Sequence, residues 1–412
     1  MISDCSRRVA LISYHTCPLA APGQGKAGGM NVHVRELARA MANRGVAVDV
    51  FTREHDYQCA GTEADNDNVH YVHVPAGPAD APLGDLPGYL DDFVAGVGRH
   101  QKRNNFQYLA IHSHYWLSGW AGASVAAATG TPQVVTFHTL SRIKMQSRSG
   151  EHEPPVRQET EERIIAGADC VVAFSPHERD AMVRLYGADR NRVELIPCGV
   201  DLSRFRPIGR TAARRELGLN GHKVMLYVGR IEPLKGADLL LHAAASLESE
   251  EGVQVLVVGS DADGSGEMER LHQLSVDLQL GDTVEFVGRV PQDRLALYYS
   301  AADVCVVPSF YESFGLAALE SMACGTPVVA SRVGGLSTIV QHGRTGYLKS
   351  WRCPEAFAQS LEMIMANEDL RDSMGRAARN RAETLSWDQV AGRLLDLYER
   401  LGSAGRGEET AH

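Results

Sequence analysis

The chain predicts an α/β protein of two domains, each a parallel β-sheet covered by helices. Three observations carry this. At 412 residues it is longer than one hydrophobic core ordinarily supports, so two domains of about 200 residues are expected. Short apolar runs alternate with longer segments of helical period, the pattern of strands joined by crossover helices. The pattern also restarts midway, and both halves open alike, with a strand, a loop carrying glycine and a cation, then a helix.

In the first half the expected strands are 9–14, 46–51, 69–73, 109–112, 133–137, 170–174 and 193–196, with helices at 30–43 and 159–167. In the second half the strands are 223–228, 254–258, 283–286, 304–307, 327–330 and 346–348, with helices at 236–247 and 316–323. A Gly/Pro stretch from Pro197 through Pro207 marks the hinge. Residues 387–401 read as an amphipathic helix, with Val390, Leu394, Leu397 and Leu401 at three- and four-residue steps, and 402–412 read as frayed. The domains are therefore 1–203, joined by 387–412, and 204–386.

Composition excludes several classes of function. The apolar share of 44% and charged share of 22% are those of an ordinary globular protein. A formal charge of −10 argues against non-specific nucleic-acid binding, which needs a basic footprint. No apolar run is long enough for a membrane-spanning helix, and residues 1–8 lead into a strand-like run without signal-peptide anatomy. The eight cysteines include no C-x-x-C pair. Free thiols in a reducing compartment, the cytoplasm, are expected.

The strongest motif is Glu312 and Glu320, eight positions apart, where a buried strand gives way to a loop and then a helix. Backbone N–H groups at Phe314, Gly315 and Leu316 would face a phosphate at the helix start. Glu320 would accept from vicinal ribose hydroxyls and Glu312 from a sugar ring. Upstream, Arg230 and Lys235 follow the first strand of the second half, at the carboxyl end where doubly wound sheets bind ligands. Two cations suit a diphosphate and the charge it gains as its bond to a sugar breaks. Cations for a diphosphate beside carboxylates for hydroxyls describe a sugar nucleotide.

Other motifs weigh less. Gly23 through Gly28 matches G-x-G-x-x-G, but eight residues separate Tyr14 from Gly23, whereas a dinucleotide fingerprint turns directly out of its strand. Gly28-Gly29-Met30-Asn31 before a helix allows close backbone approach to an anion. His112 through Trp116 and Phe137-His138-Thr139-Leu140 stand at expected strand ends and suggest a polar, aromatic rim. His112 and His114 have zinc-like spacing without an apparent third ligand, and Asp261-Ala262-Asp263 reads as a solvated turn rather than a metal site.

Taken together these residues resemble the retaining glycosyltransferases of family 4, over nearly the whole chain. They are closest to the mycothiol-pathway N-acetylglucosaminyltransferase and sucrose-phosphate synthase group. The matching pieces are Gly28 through Val32, His112 through Gly119, His138-Thr139-Leu140 and Ser309 through Glu320. The resemblance implies the GT-B fold: two facing Rossmann-like domains with parallel sheets, the C-terminal helix crossing back to the N-terminal domain. The first domain would bind acceptor and the second the nucleotide sugar. Gly29, Arg230, Lys235, Phe314, Gly315 and Leu316 would hold the diphosphate, Glu320 the ribose, Glu312 the sugar and Gly288 and Val290 the base. His138, Glu312, Arg230 and Lys235 would form the catalytic group.

The resemblance further implies retention of anomeric configuration, no cofactor and no obligatory metal. It places Asn31, Tyr115, Thr139 and Arg157 on the acceptor side. The lysine that relatives use to grip inositol phosphate has no counterpart in 76–87; Arg142 and Lys144 are candidate replacements. The expected partners are a UDP-sugar, over a GDP-sugar, and a small polar acceptor, phosphorylated or not, with a homodimer left open. Rival readings are a GT-B epimerase or hydrolase and a catalytically silent sugar-nucleotide-binding regulator.

Overall fold

The computed structural model describes residues 7–20, 28–55, 61–66, 68–219, 221–248, 252–261, 266–350 and 352–409. The chain divides into two compact units, Met1–Pro197 with Trp387–His412, and Cys198–Ser386.

The first unit contains strands β1 (Arg8–Ile12), β2 (Ala47–Arg53), β3 (Gly61–Asn66), β4 (Val69–Val74), β5 (Ile111–His114), β6 (Gln133–Thr136), β7 (Cys170–Ala173) and β8 (Val193–Leu195). They run in the order β3-β4-β2-β1-β5-β6-β7-β8. All pairings are parallel except β3 with β4. The β3 edge has no counterpart in the sequence reading because its GTEADN lacks apolar alternation.

The second unit contains β9 (Lys223–Val228), β10 (Val253–Val258), β11 (Val284–Gly288), β12 (Val304–Val307), β13 (Val328–Ser331) and β14 (Gly346–Lys349). Their order is β11-β10-β9-β12-β13-β14, all parallel. In both sheets the strand order reverses at the first strand, which lies between β2 and β5 in one and between β10 and β12 in the other. Such a reversal leaves a crevice at the strands' carboxyl ends. Valine-rich runs build these centres: all four residues of β12, VCVV, are buried, as are those of β13.

Most expected strands lie within one or two residues of the observed ones. The instructive shift is at β5, which runs to His114 rather than ending at His112, with all four residues of Ile-His-Ser-His buried. His112 thus lies inside the strand, not on a rim. The helix expected at 236–247 is Ala237–Ala245.

The last helix, Trp387–Glu409, belongs to the first unit. Its Trp387, Val390, Leu394 and Leu397 are buried. The Arg44 guanidinium donates to both carboxylate oxygens of Asp388 at 2.9 Å each, and the Tyr398 hydroxyl meets His112 Nδ1 at 2.6 Å. Residues 402–409 continue the helix instead of fraying, because a docked helix elongates at little further cost; 410–412 lie outside the described residues. Among the described cysteines, Cys17, Cys170, Cys198, Cys305 and Cys324 are buried free thiols and Cys353 is a partly exposed one; Cys5 and Cys59 fall outside. No helix among the described residues is long and apolar enough to cross a membrane.

Candidate active site

In the second unit the carboxyl ends of β9, β10, β11 and β12 share one edge. Just beyond β9, Lys235 ends a short 3-10 turn, Pro233–Lys235. Its Nζ lies 2.7 Å from Glu312 Oε2, on the loop after β12. Arg230 Nη2 reaches Glu232 Oε1 at 3.0 Å and is the more exposed cation. The two loops are tied together: Phe310 N–H donates to Leu234 O at 2.8 Å, and Arg352 donates to Pro308 O while its guanidinium covers the Phe310 ring. Arg352 is absent from the sequence reading; nothing in its neighbours WRCP announced it.

The helix Leu316–Ala323 starts from Gly315, at φ 104. A Cβ there would stand 2.6 Å from Leu336 Cδ2, so glycine is required by both backbone and space. Glu320 is buried in the second turn and accepts from the Tyr299 hydroxyl at 2.9 Å. Burial pushes its carboxyl up to about 7, against the opposing pull of the Tyr299 hydrogen bond. Gly288 closes β11 at φ 76 with open space beside it, and Val290 follows half-buried. The structure therefore brings Arg230, Lys235, Gly288, Val290, Glu312, Phe314, Gly315, Leu316 and Glu320 to one edge.

A further feature was missed by sequence reasoning. Gly334, at φ 43, lies so close to the Glu312 loop that a Cβ would stand 1.9 Å from Glu312 O. Gly335 N–H donates to the same carbonyl at 3.0 Å. The Gly-Gly dipeptide after β13 was the available signal.

In the first unit, Tyr115, Thr139, Lys144 and Arg157 form one cluster. Arg157 is buried, donates to Thr139 O at 2.9 Å and Thr139 Oγ1 at 3.0 Å, and lies over the Tyr115 ring at 4.9 Å. It also donates to Glu161 at 2.8 Å and Glu153 at 2.9 Å. Lys144 Nζ joins Glu153 at 2.8 Å and Glu151 at 3.4 Å. Burial alone would push the Glu153 carboxyl up and the Lys144 ammonium down. Their mutual attraction, with Arg157, outweighs burial, so Glu153 titrates below and Lys144 above its ordinary range. Glu151, Glu153 and Glu161 were not foreseen. Arg142 turns away to Leu185 O and Glu162, which removes it as replacement charge. Tyr115 holds φ 81, ψ 159, a region open essentially to glycine alone.

Asn31 is buried and its amide is used within the fold, donating to Thr16 Oγ1 at 3.0 Å and Cys17 O at 2.7 Å and accepting from Gly28 N at 3.0 Å. Gly29 opens the helix Gly29–Asn43; residues 23–27 of the glycine motif lie outside the described residues. Asp261 pairs with Ile231 in a parallel bridge, and the rest of the motif, Ala262 and Asp263, lies outside the described residues.

His138 adopts φ 61, with Thr139 N–H bonded back to Phe137 O at 2.7 Å, a strained tight turn. Its Nε2 lies 3.0 Å from His114 Nδ1. His112 is held apart by Tyr398 and by Thr136 Oγ1 at 2.8 Å. The zinc-like pair of the sequence is therefore not a pair, and a third imidazole does lie near His114 and His138: His33. It was missed because the helix Gly29–Asn43 is remote in sequence. Burial lowers His33 and His112 to about 3, and His114 and His138 also lie well below the ordinary range.

The fold and the carboxyl-edge site define a two-domain glycosyltransferase. Residues 27–204 match the family model described as Glycosyltransferase Family 4, and 209–381 match Glycosyl transferases group 1. Relatives include D-inositol 3-phosphate glycosyltransferase 2 of Catenulispora acidiphila, 43% identical over 406 residues, covering 96% of this chain and 95% of that one. The D-inositol 3-phosphate glycosyltransferase of Rhodococcus jostii is 42% identical over 402 residues, covering 95% and 89%. Among solved structures, sucrose-phosphate synthase from Thermosynechococcus elongatus has a TM-score of 0.88 at 37% identity, covering 97% of this chain and 100% of that one. Anabaena HepE, solved with UDP and glucose, shares the fold at a TM-score of 0.74 and 20% identity, covering 95% and 99%. The chain belongs to this glycosyltransferase family.

Proposed function

We propose that the protein is a retaining glycosyltransferase that needs no metal and moves a hexose or N-acetylhexosamine from a UDP-sugar to a small phosphorylated acceptor. The observation that carries the reading is the Lys235–Glu312 contact of 2.7 Å at the carboxyl edge of the second sheet, beside the Leu316–Ala323 helix start. Lys235, Arg230 and the N–H groups at Phe314, Gly315 and Leu316 supply the positive potential that a diphosphate requires, the task a divalent cation performs elsewhere. Glu320 would accept from the ribose hydroxyls and Glu312 from the sugar. Gly288 and Val290 would border the base, and Gly29 would add a backbone contact to the diphosphate.

The first unit would take the acceptor. The named substrate of the 43%-identical relative supports a phosphate-bearing cyclitol or sugar. Tyr115, Thr139, Lys144 and Arg157 converge, and an acceptor phosphate would exchange with the carboxylate of Glu153. With no lysine in 76–87, Lys144 carries the second charge. Asn31 would act by shaping the helix start. The acceptor hydroxyl oxygen would bond to the anomeric carbon as the bond to the diphosphate breaks, its proton passing to the leaving phosphate, with His138 steadying the sugar. The free buried thiols support a reducing setting.

A panel of UDP- and GDP-sugars, offered with inositol phosphate and hexose phosphates in EDTA, tests this by mass spectrometry and NMR of the product's anomeric centre. Transfer from a UDP-sugar with retained configuration is expected. Inversion, strict dependence on Mg²⁺, or release of free sugar alone would overturn it.

A further inference from the structure

We propose that His33, His114 and His138 form a binding site for a divalent transition metal of the zinc class, and that the bound metal inhibits the enzyme. The three imidazoles come from separate elements: the helix Gly29–Asn43, the end of β5, and the turn after β6. One ring nitrogen of each lies within 4.8 Å of the others. A tetrahedral zinc ion with bonds of about 2.0–2.1 Å places neighbouring ligand atoms roughly 3.4 Å apart. His114 Nδ1 and His138 Nε2 are already 3.0 Å apart, so closing the set asks for a small movement of His33.

The chemistry of the donors selects the ion. Three imidazoles without a carboxylate suit Zn²⁺, Co²⁺, Ni²⁺ or Cu²⁺ and disfavour Mg²⁺ and Ca²⁺. The shell is dry and aromatic: Phe174 lies 5.4 Å from both His33 and His138, and Trp387 lies 5.1 Å from His33, centroid to centroid. His112, stacked 4.4 Å from His114 and fixed by Tyr398 and Thr136, holds the His114 ring in place. Three protein ligands leave a fourth position for water or a substrate hydroxyl.

Binding follows from the three rings alone. Inhibition rests additionally on the role proposed for His138, whose lone pair the metal would occupy.

The test uses the full chain, stripped with EDTA. Titration with Co²⁺ should produce the visible bands of tetrahedral cobalt, saturating at one equivalent, and calorimetry should give the same stoichiometry for Zn²⁺. His33→Phe should abolish the bands and weaken Zn²⁺ binding by about 100-fold or more, beyond what loss of a supporting contact to a ligand costs. Circular dichroism and a melting curve establish that this variant folds; should it not, His114→Gln gives the same readout. Zn²⁺ should inhibit transfer by the wild type, reversibly with EDTA, and spare His33→Phe. Absence of bands at one equivalent, or equal affinity in the wild type and His33→Phe, would overturn the site. One-equivalent binding without inhibition would overturn the inhibitory effect and leave the site standing.

Discussion

At the carboxyl edge of the second unit, Lys235 and Glu312 meet at 2.7 Å with both side chains partly open to water. In the first unit, His112 and His114 are fully buried and held unprotonated. An ion pair reached by solvent is cheap to separate, so its members can turn to a charged ligand. A buried imidazole cannot gain a proton without paying desolvation, so it serves shape and neutral hydrogen bonding. The carboxyl edge of the second unit presents separable charge; the histidine cluster presents a buried, neutral wall.

The comparison breaks most readily at Lys235. Lys235→Ala should lower kcat/KM by about 10²–10³-fold, the scale of losing one preorganised electrostatic contact, with a stability change within about 1 kcal/mol. Steady-state kinetics beside a denaturant curve checks both; unaltered kinetics would remove Lys235 from the site. Next comes Gly334→Ala, where a methyl would stand 1.9 Å from Glu312 O at a positive φ. It should cost about 1–3 kcal/mol of stability and raise donor KM together with lowering kcat. Should it behave as wild type, the Glu312 loop is not held from this side.

A pH series sharpens the contrast. The Glu320 carboxyl lies near 7 in the folded chain, raised from 4.5. A raised carboxyl favours the protonated folded state, so this contribution to stability is complete below about 4.5 and is lost as pH rises through 7. Ribose hydroxyls donate to the ionised form, so UDP-sugar affinity should fall as pH drops below 7. Glu320→Gln should flatten that dependence and raise the melting temperature at pH 8 but not at pH 4. The smallest effect expected is at Arg157→Lys: acceptor KM should rise about tenfold, from loss of one charge-assisted hydrogen bond, with donor KM unchanged.

How much of this was legible in the sequence depended on where each polar group sits. Lys235, Glu312 and Glu320 follow largely apolar strands, KVMLYV and VCVV, so strand ends and loop residues stood out against them. The strand β5, Ile-His-Ser-His, was read two residues early because its imidazoles ended the apolar signal, although Tyr398 and Thr136 satisfy His112 inside the sheet. His33 was invisible as a neighbour of His114, since its helix supplies it from a remote stretch of chain. The carboxylates Glu151, Glu153 and Glu161 belong to no motif the sequence shows, yet Glu161 is buried and accepts from Arg157, Ser141 and Tyr186. The edge strand β3 lacked any alternation to betray it.

Calorimetric titration of UDP into the wild type, Glu320→Gln and Lys144→Ala, at pH 8, tests the assignment of the donor to the second unit most directly. One UDP per chain should bind, about 10–100-fold more weakly to Glu320→Gln, the loss of hydrogen bonds to a charged group, and equally to Lys144→Ala. Unchanged affinity in Glu320→Gln, or a loss confined to Lys144→Ala, would contradict the account.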